Sequence, residues 1–417
     1  MNIAAFAGHS SIRTYVLGAD APRRAATDAE IAEMRALVIE AMRAGAVGFA
    51  TSTSPSHNGE GGLPMPSRLA DDRELRALTG ALGEVGRGVF MLTKGNATTI
   101  PFLESIALET RRPVVIAALL HNSTQPRGTF EDLERIAAAN ARGHRLVGAV
   151  SACPLTFDFT MRSPYPLESL AAWRPAIQAE RGEPFKRVLA DAAFRQAIRD
   201  ELERPAGVRL FNGEWDKLHV VEVHRAVHAA LEGKTIAAIA ANSGRDPLDV
   251  MLDLALAEDL ETVFTATLLN SDEQAVGAML NDPHSMVSLS DAGAHLTFFN
   301  DAGFGLHLLG HWVRERRIMS IEAAIRRLTS VPAAVFGIPD RGRLEVGCAA
   351  DLMLFDPQAV DRGPKRRVFD LPAGAPRLVT SAVGLAGVWV NGERIVDEKG
   401  PIPDAPRPGR LLREFVR

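Results

Sequence analysis

Two cysteines in 417 residues, Cys153 and Cys348, are too few and too far apart for a disulfide framework, which needs a denser, regularly spaced set. A reducing, cytoplasmic setting is expected. The formal net charge of -4 comes from acids and bases mixed along the chain, so there is no basic footprint for nucleic acid and no polybasic face for a membrane. No run reaches about 18 uninterrupted apolar residues. The first residues, MNIAAFAGHSSIRTYVLG, lack the charged start, apolar h-region and cleavage site of a secretory leader. The glycines, GNA among them, form no phosphate-binding loop, and there is no low-complexity segment. These absences leave a small-molecule substrate as the default. The length allows a barrel of about 200 to 250 residues or more plus an accessory part.

What is present is a cadence. TDAEIAEMRALVIEAMRAG opens with a capping box of Thr27 and Glu30, carries Ile31, Met34, Leu37, Val38 and Met42 on one face, and stops at Gly45. It leads into AVGFATS, a short apolar run with the flanks of a buried strand. The unit recurs: DDRELRALTGALGEVG feeds GVFMLTK, IPFLESIALET feeds PVVIAALLH, and FEDLERIAAANARG feeds RLVGAVSAC. Apolar strands alternating with helices predict a parallel sheet covered by helices, in a doubly wound sheet or a closed barrel. Polar residues gathered at the strand ends favour the barrel, whose strand ends converge on one mouth. The cadence breaks after residue 154, where a helical insertion over the mouth is expected, and resumes with VFTATLL and MVSLSD. The expected barrel part spans 1–340, with the insertion at about 154–230. Residues 341–417 form a small all-β sandwich part, with a hairpin signal at Asn391-Gly392 and a surface tail rich in proline and arginine.

The candidate site residues stand at the predicted strand ends. Asp291, in VSLSDAGAH, can ligate a metal or pass a proton from metal-bound water to a leaving group; it can also simply cap the next helix. His121 ends VVIAALLH, either as a ligand or as hydrogen-bonded structure. Lys94 ends GVFMLTK, where a lysine can hold a substrate carboxylate, act as a base, ligate a metal after carbamylation, or reach into solvent. His9 begins a loop whose Arg13 could clamp an anion bidentately. His295 and Asp301 flank LTFFN, an aromatic stretch suited to a pocket wall. His219, His224 and His228 form no zincin signature, and Trp312 is expected to pack inward from an outer helix.

Several of these stretches together resemble the amidohydrolase superfamily, in particular its N-acyl-D-amino-acid deacylase (D-aminoacylase) branch. The pieces are GHSSIR, ATDAEIAEMRALVIEAMRAGAVGFATS, VSLSDAGAH, MSIEAAIRRLTSVPAAVFGIPDRGRLEVGCAADLMLFDP and VWVNGERIV. The resemblance covers nearly the whole chain and is weakest from 154 to 230. It implies a (β/α)8 barrel of the TIM type, one or two divalent metal ions, usually zinc, and a β-sandwich made from both chain ends. Asp291 then matches the proton shuttle of strand eight, and His121 matches one of the two metal-binding histidines of the middle strands.

Two departures qualify it. The family's first strand carries a His-x-His pair, and this sequence has none; it starts at what resembles strand three. The strand-five position normally held by histidine is Lys94. About six strands of an incomplete barrel are therefore expected, and six strands leave open edges that invite pairing with another chain. A homo-oligomer or a complementing N-terminal segment is the expected remedy. The resulting expectation is a metal-dependent hydrolase of carbon–nitrogen bonds other than peptide bonds, acting on N-acyl-(D-)amino acids or related small compounds. Asp291 would be catalytic; His121, Lys94 and Asp291 would hold zinc; Arg13, His9 and His295 would bind substrate. An inactive barrel remnant acting as a scaffold, and a cyclic amide or lactone hydrolase, are the alternatives.

Overall fold

The structure is a computed structural model describing residues 1–59, 62–204, 209–288, 290 and 297–416. Five strands open the chain: β1 (Phe6–Gly8), β2 (Gly48–Ser52), β3 (Val89–Thr93), β4 (Val114–Leu119) and β5 (Leu146–Val150). Between them run α1 (His9–Leu17), α2 (Asp28–Ala44), α3 (Asp72–Val85), α4 (Ile100–Thr110) and α5 (Gly128–Ala141). An inserted segment then carries β6 (Leu155–Phe159), β7 (Leu218–Glu222) and β8 (Val263–Leu269), before β9 (Ser285–Val287) returns to the first sheet. That sheet is parallel, six strands in the order β1-β2-β3-β4-β5-β9.

Local chemistry sets the helix limits. Thr27 and Glu30 form the reciprocal capping box, and Gly45 closes α2 in the left-handed conformation, φ 110°. Asp71 and Thr99 cap α3 and α4, their side chains accepting from the backbone N–H groups of Glu74 and Phe102. The two faces of the sheet differ. Phe49, Phe90, Leu92, Val114, Ile116, Leu146, Val150 and Val287 join the large core with the apolar stripes of α2 to α5. Val89, Val115, Ala117, Ala149 and Met286 form a much smaller cluster on the other face, packed by Val331, Val335 and Phe336. The connecting helices thus lie on one face of the sheet, as in a barrel wall; a doubly wound sheet would carry helices on both.

The insertion has a core of its own around Trp173, Phe185, Leu218 and Phe264. Its three-stranded sheet has the order β6-β8-β7, with antiparallel pairs throughout. VFTATLL, expected in the parallel cadence, is therefore β8 of this second sheet. The reason lies in its alternation: Phe264, Ala266 and Leu268 are buried while Thr265, Thr267 and Leu269 are partly open. That period of two marks a half-buried antiparallel strand, not one buried on both faces. The inserted fold accordingly continues past residue 230 as far as Leu269.

The C-terminal strands are β10 (Leu352–Phe355), β11 (Asp361–Val368), β12 (Arg377–Val383), β13 (Leu385–Val390), β14 (Glu393–Asp397) and β15 (Gly400–Pro401). They form an antiparallel sheet β10-β13-β14-β15 and a separate hairpin β11-β12. Asn391 (φ 49°) and Gly392 (φ 86°) make the tight turn between β13 and β14. The tail runs back beside the chain start, where Ile3 pairs with Leu411.

Candidate active site at the carboxyl ends of the parallel strands

Residues that follow the strands meet at one end of the sheet. His121, two residues beyond β4, is 4% exposed, and its ring lies 6.4 Å from that of Phe130. Its backbone N–H donates to Asn270 Oδ1 at 2.7 Å, and its carbonyl accepts from the Asn270 N–H at 2.9 Å. Asn270 follows β8 directly and adopts a positive φ of 55°, which asparagine tolerates better than most residues. Its side-chain amide donates to the carbonyls of Ser151 and Cys153, both at 3.2 Å. One buried asparagine thus ties together the ends of β4, β5 and β8. The sequence signals it only as a lone amide closing an apolar strand.

The clamp fixes the backbone of His121 and leaves its ring unsatisfied. His121 Nδ1 is buried without a hydrogen-bond partner among the described residues. An unmet buried polar atom costs about 1–3 kcal/mol, so native folds keep one where a ligand, ion or water completes it.

The other expected site residues are placed differently. Lys94 follows β3, but its ammonium is ion-paired with Asp132 on α5, which also meets Arg135 at 3.5 Å. That pairing takes up the amine expected to reach a metal. His9 and Arg13 are four apart on α1 and both are buried. His9 Nε2–H donates to Glu74 at 2.7 Å, because a carboxylate only accepts, and Nδ1 then accepts from the Thr51 hydroxyl at 2.7 Å. The Arg13 guanidinium is held by Glu74 and by the carbonyls of Ala21 and Arg24. Burial pushes the His9 imidazole below its ordinary pKa. Burial alone would raise the Glu74 carboxyl, but hydrogen bonds from His9 and Arg13 outweigh it and hold the pKa below the usual carboxylate range. A substrate clamp needs accessible N–H groups, whereas these two side chains brace α1 against α3. Asp291 and His295 lie outside the described residues.

Around this end, Phe298 stacks on Tyr165 at 5.6 Å and meets Phe157 at 5.3 Å, and Phe157 stacks on Phe299 at 5.5 Å. The aromatic stretch joins the insertion to the chain beyond β9. Trp312 is buried, and its indole N–H donates to the Ala152 carbonyl at 2.7 Å. Burial pushes the Cys153 thiol up to about 12, which makes it inert as a nucleophile. Among the described residues no three His, Cys, Asp or Glu side chains are grouped to hold a metal ion. His121 offers one nitrogen, and the described donor set by itself does not fit a metal centre.

The sequence profile of the amidohydrolase family matches residues 1–396. The chain belongs to the amidohydrolase family. Within it, the chain is 28% identical over 389 residues to an uncharacterized protein of Mycobacterium tuberculosis, covering 86% of this chain and 62% of that one. It is 26% identical over 424 residues to the N-acyl-D-aspartate deacylase of Alcaligenes xylosoxydans xylosoxydans, covering 99% of this chain and 68% of the enzyme. The crystal structure of N-acyl-D-glutamate deacylase from Bordetella bronchiseptica, complexed with zinc and a phosphonate inhibitor, superposes with a TM-score of 0.61 at 24% identity, over 99% of this chain and 72% of that one. This last likeness shows a shared fold. The amidohydrolase chain spans about three fifths to seven tenths of the length of these relatives.

Proposed function

We propose that this amidohydrolase takes part in metal-dependent cleavage of the amide bond of N-acyl-D-amino acids or related small compounds. The observation that carries the reading is His121, a buried imidazole with an open nitrogen at the carboxyl ends of the parallel strands, where barrel enzymes build their sites. The alignment to an N-acyl-D-aspartate deacylase over 99% of the chain supports the substrate class. Zinc, as one or two ions, is the cofactor the reading calls for, and it would supply an activated water. Its remaining ligands must come from beyond the described residues, with Asp291 as the proposed metal ligand and proton shuttle and His295 as a lesser candidate for substrate.

The geometry also supports a partner. β1 pairs only with β2, and β9 only with β5, among the described residues. Leu352, Met353 and Leu354 of β10 are 37–56% exposed. Open strand edges and an uncovered apolar strand call for a second copy or a complementing segment. No helix among the described residues is long and apolar enough to cross a membrane, and a cytoplasmic setting fits the two unpaired cysteines.

A non-catalytic scaffold is the second reading, favoured by the lack of a complete ligand group among the described residues. Metal analysis of the purified chain, with a hydrolysis panel of N-acetyl-D-amino acids, separates the two. Close to one zinc per chain with release of free amino acid is expected, and H121A should lose both. A metal-free, inactive chain would favour the scaffold and count against the hydrolase.

A further inference from the structure

The amide-cleavage reading makes no use of the cations of β11. The sequence of that strand, DRGPKRRV, would alternate its side chains, but a register shift between Arg362 and Lys365 brings Arg362, Lys365 and Arg367 to the same neighbourhood. Arg362 Nη1 lies 3.2 Å from Cys153 Sγ and 3.4 Å from Asp301 Oδ1. The Lys365 ammonium donates to the Thr156 hydroxyl. Arg367 donates to the Thr297 carbonyl at 2.8 Å and meets Asp158 at 3.4 Å. Arg366, between them, is exposed. On the facing strand β6, Phe157 and Phe159 enter the core of the insertion, which leaves Thr156 and Asp158 on the side turned to β11.

The charges of this interface do not cancel. Three cations meet two carboxylates, Asp158 and Asp301, and burial pushes the Asp301 carboxyl above its ordinary pKa. Lys365 is half-buried; it donates to a neutral hydroxyl, and Asp301, the carboxylate within its electrostatic reach, is shared with Arg362. An ammonium has three N–H donors, and one taken from water is stable only when an anion or several acceptors meet it. Cys153 connects this place to His121, since its carbonyl accepts from the same Asn270 amide that fixes the His121 backbone.

We propose that Lys365, flanked by Arg362, binds the carboxylate of the substrate, with the scissile amide directed toward His121. The assignment rests on the amide-hydrolase reading above and deepens it by naming the group that recognises the acid. The carboxylate can be the α-carboxylate or one on the side chain, and both present the same chemistry to an ammonium.

Calorimetric titration of the full chain tests this with N-acetyl-D-leucine, N-acetyl-D-leucinamide and N-acetyl-D-isoasparagine. The first carries only an α-carboxylate, the second none, and the third only a side-chain carboxylate. At least one acid should bind about tenfold or more tighter than the leucinamide, and which acid does so identifies the carboxylate. K365M should remove that advantage and leave leucinamide binding unchanged; K365R should restore it, and R366Q should change nothing. If K365M does not fold, the preference of the wild-type chain for acid over amide, kept in K365R, carries the test. Equal binding of acids and amide, no binding at all, or an acid preference kept in K365M overturns the assignment. Hydrolysis measured on the same samples separates the two claims: cleavage indifferent to K365M keeps the hydrolase and removes the site, whereas Lys365-dependent binding without cleavage keeps the site and removes the hydrolase.

Discussion

Asn270 carries more of the site than its single side chain suggests. Its amide satisfies the His121 N–H and the carbonyls of Ser151 and Cys153, three backbone groups on two separate segments. N270A strips partners from all three at once. With each buried group left unpaired costing about 1–3 kcal/mol before relaxation, a loss of about 3 kcal/mol is expected in urea unfolding. N270D keeps the acceptor for His121 but brings a carboxylate against two carbonyls, so it should also destabilise the fold, as the same unfolding measurement will show.

At the scale of elements, close packing of backbone against helix sets where the C-terminal hairpin lies. Gly310, in the helical segment Leu308–Glu315, faces the chain entering β11, and a Cβ there would sit 2.4 Å from Asp361 Cγ and 2.7 Å from the Val360 carbonyl oxygen. Arg314 ties the same helical segment to the Val360 carbonyl and to Asp361. G310A therefore forces β11 away from the sheet end, at an overpacking cost of about 1–3 kcal/mol. The melting temperature should fall accordingly. If the hairpin binds the substrate carboxylate, acid binding should weaken in the same variant.

For the whole molecule, the buried His9–Glu74–Arg13 network makes stability a function of pH. Both His9 and Glu74 have folded-state pKa values below their ordinary ones of 6.5 and 4.5, so on acidification the unfolded chain takes up more protons than the folded one. The His9 contribution is present above 6.5 and is lost as pH falls below it; the Glu74 contribution is lost below 4.5. Denaturation midpoints should thus decline from neutral pH downward in two stages. E74Q leaves Arg13 buried without its counter-charge and should cost about 3–5 kcal/mol at neutral pH, with a shallower acid decline. A flat acid limb in the wild-type chain would count against this account.

Sequence periodicity by itself determined α2 to α5, the parallel strands β2 to β5 that they lead into and the capping of α2, because those depend on contacts within a few residues and on which side chains avoid water; it read the start of α1 as a loop. It also brought His121 and Lys94 to strand ends. Only the tertiary structure decided what those side chains meet. The pairing of Lys94 with Asp132, the burial of Arg13 against Glu74, and the antiparallel place of β8 all join residues distant in the chain. A local pattern records that a residue is apolar or charged, whereas its partner is chosen by the packing of whole elements, and that choice separates a free ligand from a spent one.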